Sequence, residues 1–204
     1  MKGAAVIVDG MATTAKAALR ERLLAARRLV TDAVRADEAR SLTEHVAAVV
    51  DSGSTVCAYV PMGAEPGSTA MLDVVLAQAG RVLLPIARSS ADDSPVALQW
   101  GEYRPGQLVA ARFGLLEPAG PWLPATALEE ASVVLVPALA VDRTGVRLGR
   151  GRGFYDRTLV DRDPRARLIA IVRDEELVVE LPREPHDVSM THALTPGRGL
   201  IELG

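Results

Sequence analysis

Apolar and polar positions along this chain follow two periods, one helical and one of strands. Leu19, Leu23, Ala26 and Val30 recur at helical spacing and predict a helix from Thr13 or Thr14, either able to cap it, to about residue 30. A second helix is predicted over 35–51, ending near Gly53. The run at 55–60 reads as a strand and ends in a loop, 61–68, rich in turn residues. A helix over 69–79 follows, with Gly80 as its stop, and then a strand over 81–86. A strand, helix, strand unit implies parallel pairing with a right-handed crossover. Residues 96–103 alternate as a half-buried strand, read as antiparallel, and 133–137 form a fully apolar one. Another strand is predicted over 167–172, whereas 174–181 is ambiguous and 182–196 reads as a loop with a short run to Thr195. Residues 1–12 are expected to be a loose extension and 13–204 a single domain. The alternation of strands and helices makes the fold class α/β.

Composition narrows the field. With 204 residues, 49% of them hydrophobic, the chain is long enough for one good-sized core. The formal net charge of -3 argues against a general nucleic-acid binder, so any basic patch must be local. No apolar run approaches the ~18 residues of a membrane span, so no membrane partner is expected. The N-terminal segment carries Asp9 in mid-run and is not read as a signal peptide. The single cysteine, Cys57, lies in an apolar run and reads as a small buried hydrophobe; a cytoplasmic setting fits.

The stretch with the most chemistry runs from Val133 to Leu159. A buried strand leads through a polar turn (residues 142–145) into Gly149, Gly151 and Gly153, with Arg147, Arg150 and Arg152 placed before and between them. Phe154, Tyr155 and Asp156 close the loop, and residues 156–160 read as the first turns of a helix. Glycines let backbone N–H groups approach an anion, a helix start adds partial positive charge, and arginine forks match phosphate oxygens. Gly-Arg repeats also occur in solvated or disordered segments, but such segments are not bracketed by an apolar strand and an aromatic pair. The loop is neither a Walker A, which needs a lysine followed by Ser or Thr, nor the dinucleotide fingerprint.

Three further features bear on function. Lys16, Arg20 and Arg27 fall within about 40° of one another at ~100° per residue, which reads as a solvated flank of the first helix. Glu65 lies in a loop after the carboxyl end of a parallel strand, where open α/β sheets hold ligands; on residues alone it reads equally as a surface acid. Asp156, just beyond the glycine loop, and Asp187, on a late loop, are candidate magnesium ligands, since that ion takes one or two carboxylates and leaves its other positions to phosphates and water. Asp156 reads alternatively as a helix cap. The three histidines form no zinc pattern, and no serine-hydrolase elbow is present.

Taken together, these segments resemble the 5-formyltetrahydrofolate cyclo-ligase family, also called 5,10-methenyltetrahydrofolate synthetase. The similar pieces are Lys16 to Arg20, Tyr59 to Thr69 with Glu65 at its centre, Phe113 to Pro118, Val136-Pro137 through Arg147 to Asp156, and Pro185-His186-Asp187. They keep the family's order and span about residue 14 to 196. The glycine-loop motif is quite specific; the others are weak singly. The resemblance implies a sugar-isomerase or CoA-transferase-like architecture, a parallel-rich mixed sheet flanked by helices. It also implies a reaction that turns 5-formyltetrahydrofolate and ATP into 5,10-methenyltetrahydrofolate, ADP and phosphate, with magnesium (Mg2+).

Carried over by position, the resemblance gives Lys16 and Arg20 the ATP phosphates and wraps Arg147, Leu148, Gly149, Arg150, Gly151, Arg152, Gly153, Phe154 and Tyr155 around the nucleotide. Residues 150–154 also face the formylfolate, with Lys16, Arg150 and Arg152 closest to the chemistry. Asp156 and Asp187 hold the metal, and Glu65 binds the folate. Tyr59, Met62 and Trp100 read either as an apolar wall for the pterin or as core and rim residues. Arg152 stands where the family commonly has Lys, Phe154 where it commonly has Tyr, and Thr191 near a place that usually carries an acid. A monomer is expected. A non-catalytic folate- or nucleotide-binding relative, and a sugar-phosphate isomerase-like enzyme, remain as rival readings.

Overall fold

The computed structural model describes residues 14–112, 114–185 and 187–204. The extension expected over 1–12, and the motif positions Phe113 and His186, lie outside the described residues. In chain order the elements are α1 (Lys2–Leu29), followed here from Thr14, α2 (Asp32–Ala47), β1 (Thr55–Cys57), α3 (Thr69–Ala79), β2 (Arg81–Ile86) and β3 (Gln99–Glu102). Next come β4 (Leu108–Ala110), β5 (Leu116–Pro118), β6 (Val133–Pro137), β7 (Ala140–Asp142), β8 (Arg147–Leu148) and α4 (Phe154–Thr158). The last are β9 (Arg167–Ile171), β10 (Leu177–Val178), β11 (His192–Thr195) and β12 (Gly199–Glu202).

Seven strands form the main sheet in the order β12-β11-β9-β6-β1-β2-β3. The five inner strands are parallel, and an antiparallel strand closes each edge. Period-two alternation sends neighbouring residues to opposite faces. Val56, Leu84, Val133 and Leu135 pack with Leu42 and Val46 of α2 and Met71, Leu72 and Val75 of α3. Cys57, Leu83, Val134 and Val136 pack on the other face with Trp100, Leu128 and Leu159. Burial on both faces explains why β6 reads as continuously apolar.

Helix and strand ends follow local chemistry. α3 matches its expected bounds because Gly80 takes a left-handed conformation (φ 88°) and donates its N–H to the Leu76 carbonyl at 2.9 Å. α2 starts earlier than expected, since the Thr31 hydroxyl accepts from Val34 N–H at 3.4 Å. α4 begins at Phe154, two residues before the expected start, and is only five residues long. The expected strand over 55–60 keeps ladder pairing only at Thr55–Cys57. Residues 142–145, read as a simple turn, close the β7–β8 hairpin. Asp142, buried in this turn, accepts at Oδ1 from Thr144 N–H (2.9 Å) and Val146 N–H (3.0 Å), and at Oδ2 from Leu181 N–H (2.9 Å). β10 pairs with β7, so the ambiguous 174–181 segment completes a small three-stranded sheet beside the main one. Among the described residues no helix is long and apolar enough to cross a membrane.

The inner face of α1 corrects the sequence reading. Leu19 and Leu23 pack against Val146, Leu148 and Leu181 of the small sheet, but Ala26 is exposed. Arg27, expected on a solvated flank, is only 2% exposed. Its Nε donates to Glu176 Oε1 (2.7 Å), and its Nη2 donates to Glu176 Oε2 (2.7 Å) and the Ala138 carbonyl (2.6 Å). Burial opposes the Arg27 charge, but the Glu176 carboxylate outweighs it and the pKa is raised. Glu176 also accepts from Arg173 N–H at 2.8 Å. The buried Arg173 guanidinium in turn donates to Glu38 of α2 at 2.9 Å and to the Ala64 carbonyl at 3.1 Å.

Two outcomes follow from this interior. Removing one partner of a buried pair strands the other, so Glu176→Ala should cost about 3–5 kcal/mol in urea unfolding. The apolar double change Arg27→Met/Glu176→Met should stay within about 1–2 kcal/mol of the parent. Burial pushes the Cys57 thiol well above its ordinary pKa. A thiol reagent should therefore label Cys57 only in denaturant, which a mass shift in native buffer would contradict.

Candidate active site

Three inner strands open into one cavity at their carboxyl ends. β1 leads to Tyr59 and Val60, β2 ends beside Pro85 and Ala87, and β6 leads to Pro137, Ala138 and Leu139; all of these line a cavity of about 430 Å³. This is where open α/β sheets hold ligands. The wall is largely apolar, and Leu115 and Leu116, before and in β5, add to it.

The 61–66 loop presents Glu65. Its N–H donates to the Met62 carbonyl (3.1 Å), and its Oε2 accepts from Met62 N–H (3.0 Å), closing a tight reciprocal turn. The Arg173–Ala64 bond anchors that turn from behind. Glu65 Oε1 faces the glycine loop and accepts from Arg150 Nε at 2.9 Å. Met62 lines the cavity, as does Tyr59, whose buried hydroxyl donates to the Pro66 carbonyl at 3.1 Å.

The opposite wall is the glycine loop. Arg147, Gly149, Arg150, Gly151, Arg152 and Gly153 line it, followed by Phe154, Tyr155 and Asp156. Gly151 (φ 88°) and Gly153 (φ 76°) take backbone conformations that favour glycine. A Cβ at Gly151 would also stand 3.2 Å from the Arg20 guanidinium, which donates through Nε to the Gly149 carbonyl at 3.0 Å. Arg147 Nη2 is 2.6 Å from Asp156 Oδ1, and its guanidinium carbon is 5.6 Å from the centre of the Tyr155 ring. Since α4 is so short, the loop's positive character rests on its arginines rather than on a helix dipole.

Several predicted residues stand outside this wall. Leu148 is buried against α1 and pairs in the hairpin, accepting from Leu139 N–H at 2.7 Å. Trp100 is fully buried in the core beneath the sheet and does not line the cavity, because β3 turns it inward. Lys16 is 3% exposed; its Nζ contacts Glu184 Oε2 (2.6 Å) and Asp187 Oδ2 (2.8 Å). Asp187 Oδ2 also accepts from Glu184 N–H at 2.7 Å. Sequence reasoning passed over Glu184; its spacing of three before Asp187, in a turn, was the available signal. Arg27, read from the sequence as part of a solvated flank, is buried and lines the cavity three turns along α1 from Lys16.

Three cations that the family resemblance assigns to anion binding each meet a carboxylate: Arg150 with Glu65, Arg147 with Asp156, and Lys16 with Glu184 and Asp187. Among the described residues no three His, Cys, Asp or Glu side chains form a metal-binding group. The site offers carboxylates paired with cations, arginine forks and an apolar slot.

Comparison with known proteins supplies the family and the fold. Residues 12–196 match the 5-formyltetrahydrofolate cyclo-ligase family. A 5-formyltetrahydrofolate cyclo-ligase of Mycolicibacterium smegmatis is 58% identical over 193 residues, covering 95% of this chain and 100% of the relative. The protein of that name from Escherichia coli is 28% identical over 146 residues, covering 71% and 79% respectively. The solved structure of an Aquifex aeolicus 5,10-methenyltetrahydrofolate synthetase shares the fold, with a TM-score of 0.70 at 24% identity over 92% of each chain. A Mycoplasma pneumoniae 5,10-methenyltetrahydrofolate synthetase superposes with a TM-score of 0.65 at 17% identity, over 86% of this chain and 94% of that one. A sheet whose strand ends open on an apolar slot, walled by Glu65 and the glycine loop, thus accompanies sequence agreement along nearly the whole chain, which belongs to the 5-formyltetrahydrofolate cyclo-ligase family of enzymes.

Proposed function

We propose that this chain catalyses the ATP-dependent closure of 5-formyltetrahydrofolate to 5,10-methenyltetrahydrofolate, releasing ADP and phosphate. The observation that carries the reading is the shared cavity: Glu65 on one wall and Arg147 with residues 149–156 on the other line an apolar slot that a carboxylate and a set of arginines border. A carboxylate accepts two N–H bonds from a flat heterocycle edge, and the apolar walls suit its faces.

The chemistry follows from the substrate. The N5-formyl oxygen is a poor leaving group. Transfer of the γ-phosphoryl of ATP to it releases ADP and turns the oxygen into part of a phosphate. Attack by N10 on the activated carbon then expels phosphate and closes the ring. The protein's part is to align two substrates and to neutralise developing charge, so no covalent nucleophile is required. In this reading Glu65 holds the pterin, with Tyr59 and Met62 beside its ring. Arg150 and Arg152 face the transferred phosphoryl group from the glycine loop, whose backbone supplies further donors. Lys16 and Arg20 reach the nucleotide phosphates from α1; the Arg20 contact with the Gly149 carbonyl supports a shared site.

Asp156 and Asp187 would hold magnesium as its hard oxygen donors. Asp156 pairs with Arg147 and Asp187 shares Lys16 with Glu184, and magnesium needs only one or two carboxylates when its remaining positions go to phosphates and water. When bound, magnesium supplies charge neutralisation on the phosphate oxygens. On ligand binding the phosphates would take Arg147, Arg150 and Lys16 from their carboxylate partners, leaving Glu65 for the pterin edge and Asp156 and Asp187 to hold magnesium.

Mixing protein, 5-formyltetrahydrofolate, ATP and magnesium should produce the methenyl product's absorbance. Lys16→Ala and Asp156→Ala should each lower turnover roughly a hundredfold or more while far-ultraviolet circular dichroism stays unchanged. Parent-like rates in both variants would remove the basis for the assignment.

A further inference from the structure

One buried donor on this cavity is not used above. Arg27 lines the cavity and is 2% exposed. Its Nε and Nη2 are committed to Glu176 and the Ala138 carbonyl, but Nη1 is buried with no hydrogen-bond partner. The hydroxyl of Tyr155, on the same cavity, is likewise buried and unpartnered. Buried donors are nearly always satisfied, and leaving one open is costly. Two such donors on one ligand cavity mark the place of an acceptor that arrives with the ligand.

Charge identifies the acceptor. Arg27 and Arg173 are matched by Glu176 and Glu38 in one connected network. No net positive charge is left for an anion, so the missing partner is a neutral oxygen. Position narrows it further, because Arg27 and Glu65 line the same cavity. Along the edge of a 2-amino-4-oxopyrimidine ring come an amino N–H, a ring N–H and then a carbonyl oxygen. A carboxylate that takes the two N–H groups leaves the adjoining carbonyl in need of a donor. The nearby wall contains Pro85 and Pro137, which have no N–H to offer.

We propose that Arg27 is a substrate-recognising residue, donating through Nη1 to the ring carbonyl of the pterin whose N–H edge Glu65 accepts, with the Tyr155 hydroxyl as its companion. This rests on the function proposed above. It assigns recognition of the 4-oxo group to α1, the helix that also carries Lys16 and Arg20, so one element touches both substrates.

The test is titration calorimetry with 5-formyltetrahydrofolate, its 4-amino analogue and ADP as separate probes. Arg27→Met/Glu176→Met removes the donor and its counter-charge together. Arg27→Lys keeps the charge opposite Glu176 but loses the fork, and it decides the matter alone if the double variant does not fold. Each should bind formylfolate about tenfold or more weakly, the usual worth of a hydrogen bond from a charged donor. The parent's preference for the 4-oxo over the 4-amino compound should shrink by a similar factor, and ADP affinity should hold within about twofold. Formylfolate affinity and 4-oxo preference unchanged in a folded variant would overturn the assignment. ADP affinity falling in step with them would also overturn it, since that marks a merely loosened cavity. A parent that neither binds nor cyclises formylfolate would instead overturn the proposed function itself.

Discussion

A guanidinium buried against a carboxylate holds α1 to the rest of the molecule. Among the described residues of this helix apolar contact is modest: Leu19 and Leu23 pack beside the small sheet, while Ala26 faces outward. The Arg27–Glu176 fork and the Arg27 bond to the Ala138 carbonyl fix the helix against the loop that leaves β6. Such a pair contributes little net stability compared with a well-packed apolar pair, but it is directional. It sets the rotation of α1, and that rotation turns Lys16 towards the late loop and Arg20 towards the glycine loop.

The glycine loop has its own frame. It leaves β8, and β8 pairs with β7 in a hairpin organised by Asp142. Gly145 in that hairpin is a steric necessity, since a Cβ there would stand 2.3 Å from the Met190 carbonyl oxygen. Arg20 fills the space beside Gly151, and the Arg147–Asp156 pair closes the loop at its far end. The chain thus fastens the loop at its start, middle and end.

Much of this was legible in the sequence. α3, β2 and β6 fell where periodicity and Gly80 placed them, because their signals are local. The cavity's two main walls were legible too, as a loop after a parallel strand and as a glycine-arginine run. Other parts depend on distant partners. Periodicity cannot distinguish an arginine on a helix flank from one that meets Glu176, 149 positions away. Strands of two residues such as β8 and β10 carry no pattern of their own. Trp100 has the right chemistry for a ligand wall, but only the pleat of β3 decides which face it takes. Glu184 earned no notice because its role appears only once Lys16 is folded against it.

The ion pairs of the cleft also bear on how the anionic substrates of the proposed reaction would arrive. Charges matched at 2.6–2.9 Å project only a weak field beyond their immediate surroundings. Encounter then owes little to long-range attraction, and selection falls to the short-range moment when partners are traded. In the proposed reading, a passing polyanion without the right shape would meet cations already matched by carboxylates, so the same walls that cradle the substrate would also filter its competitors.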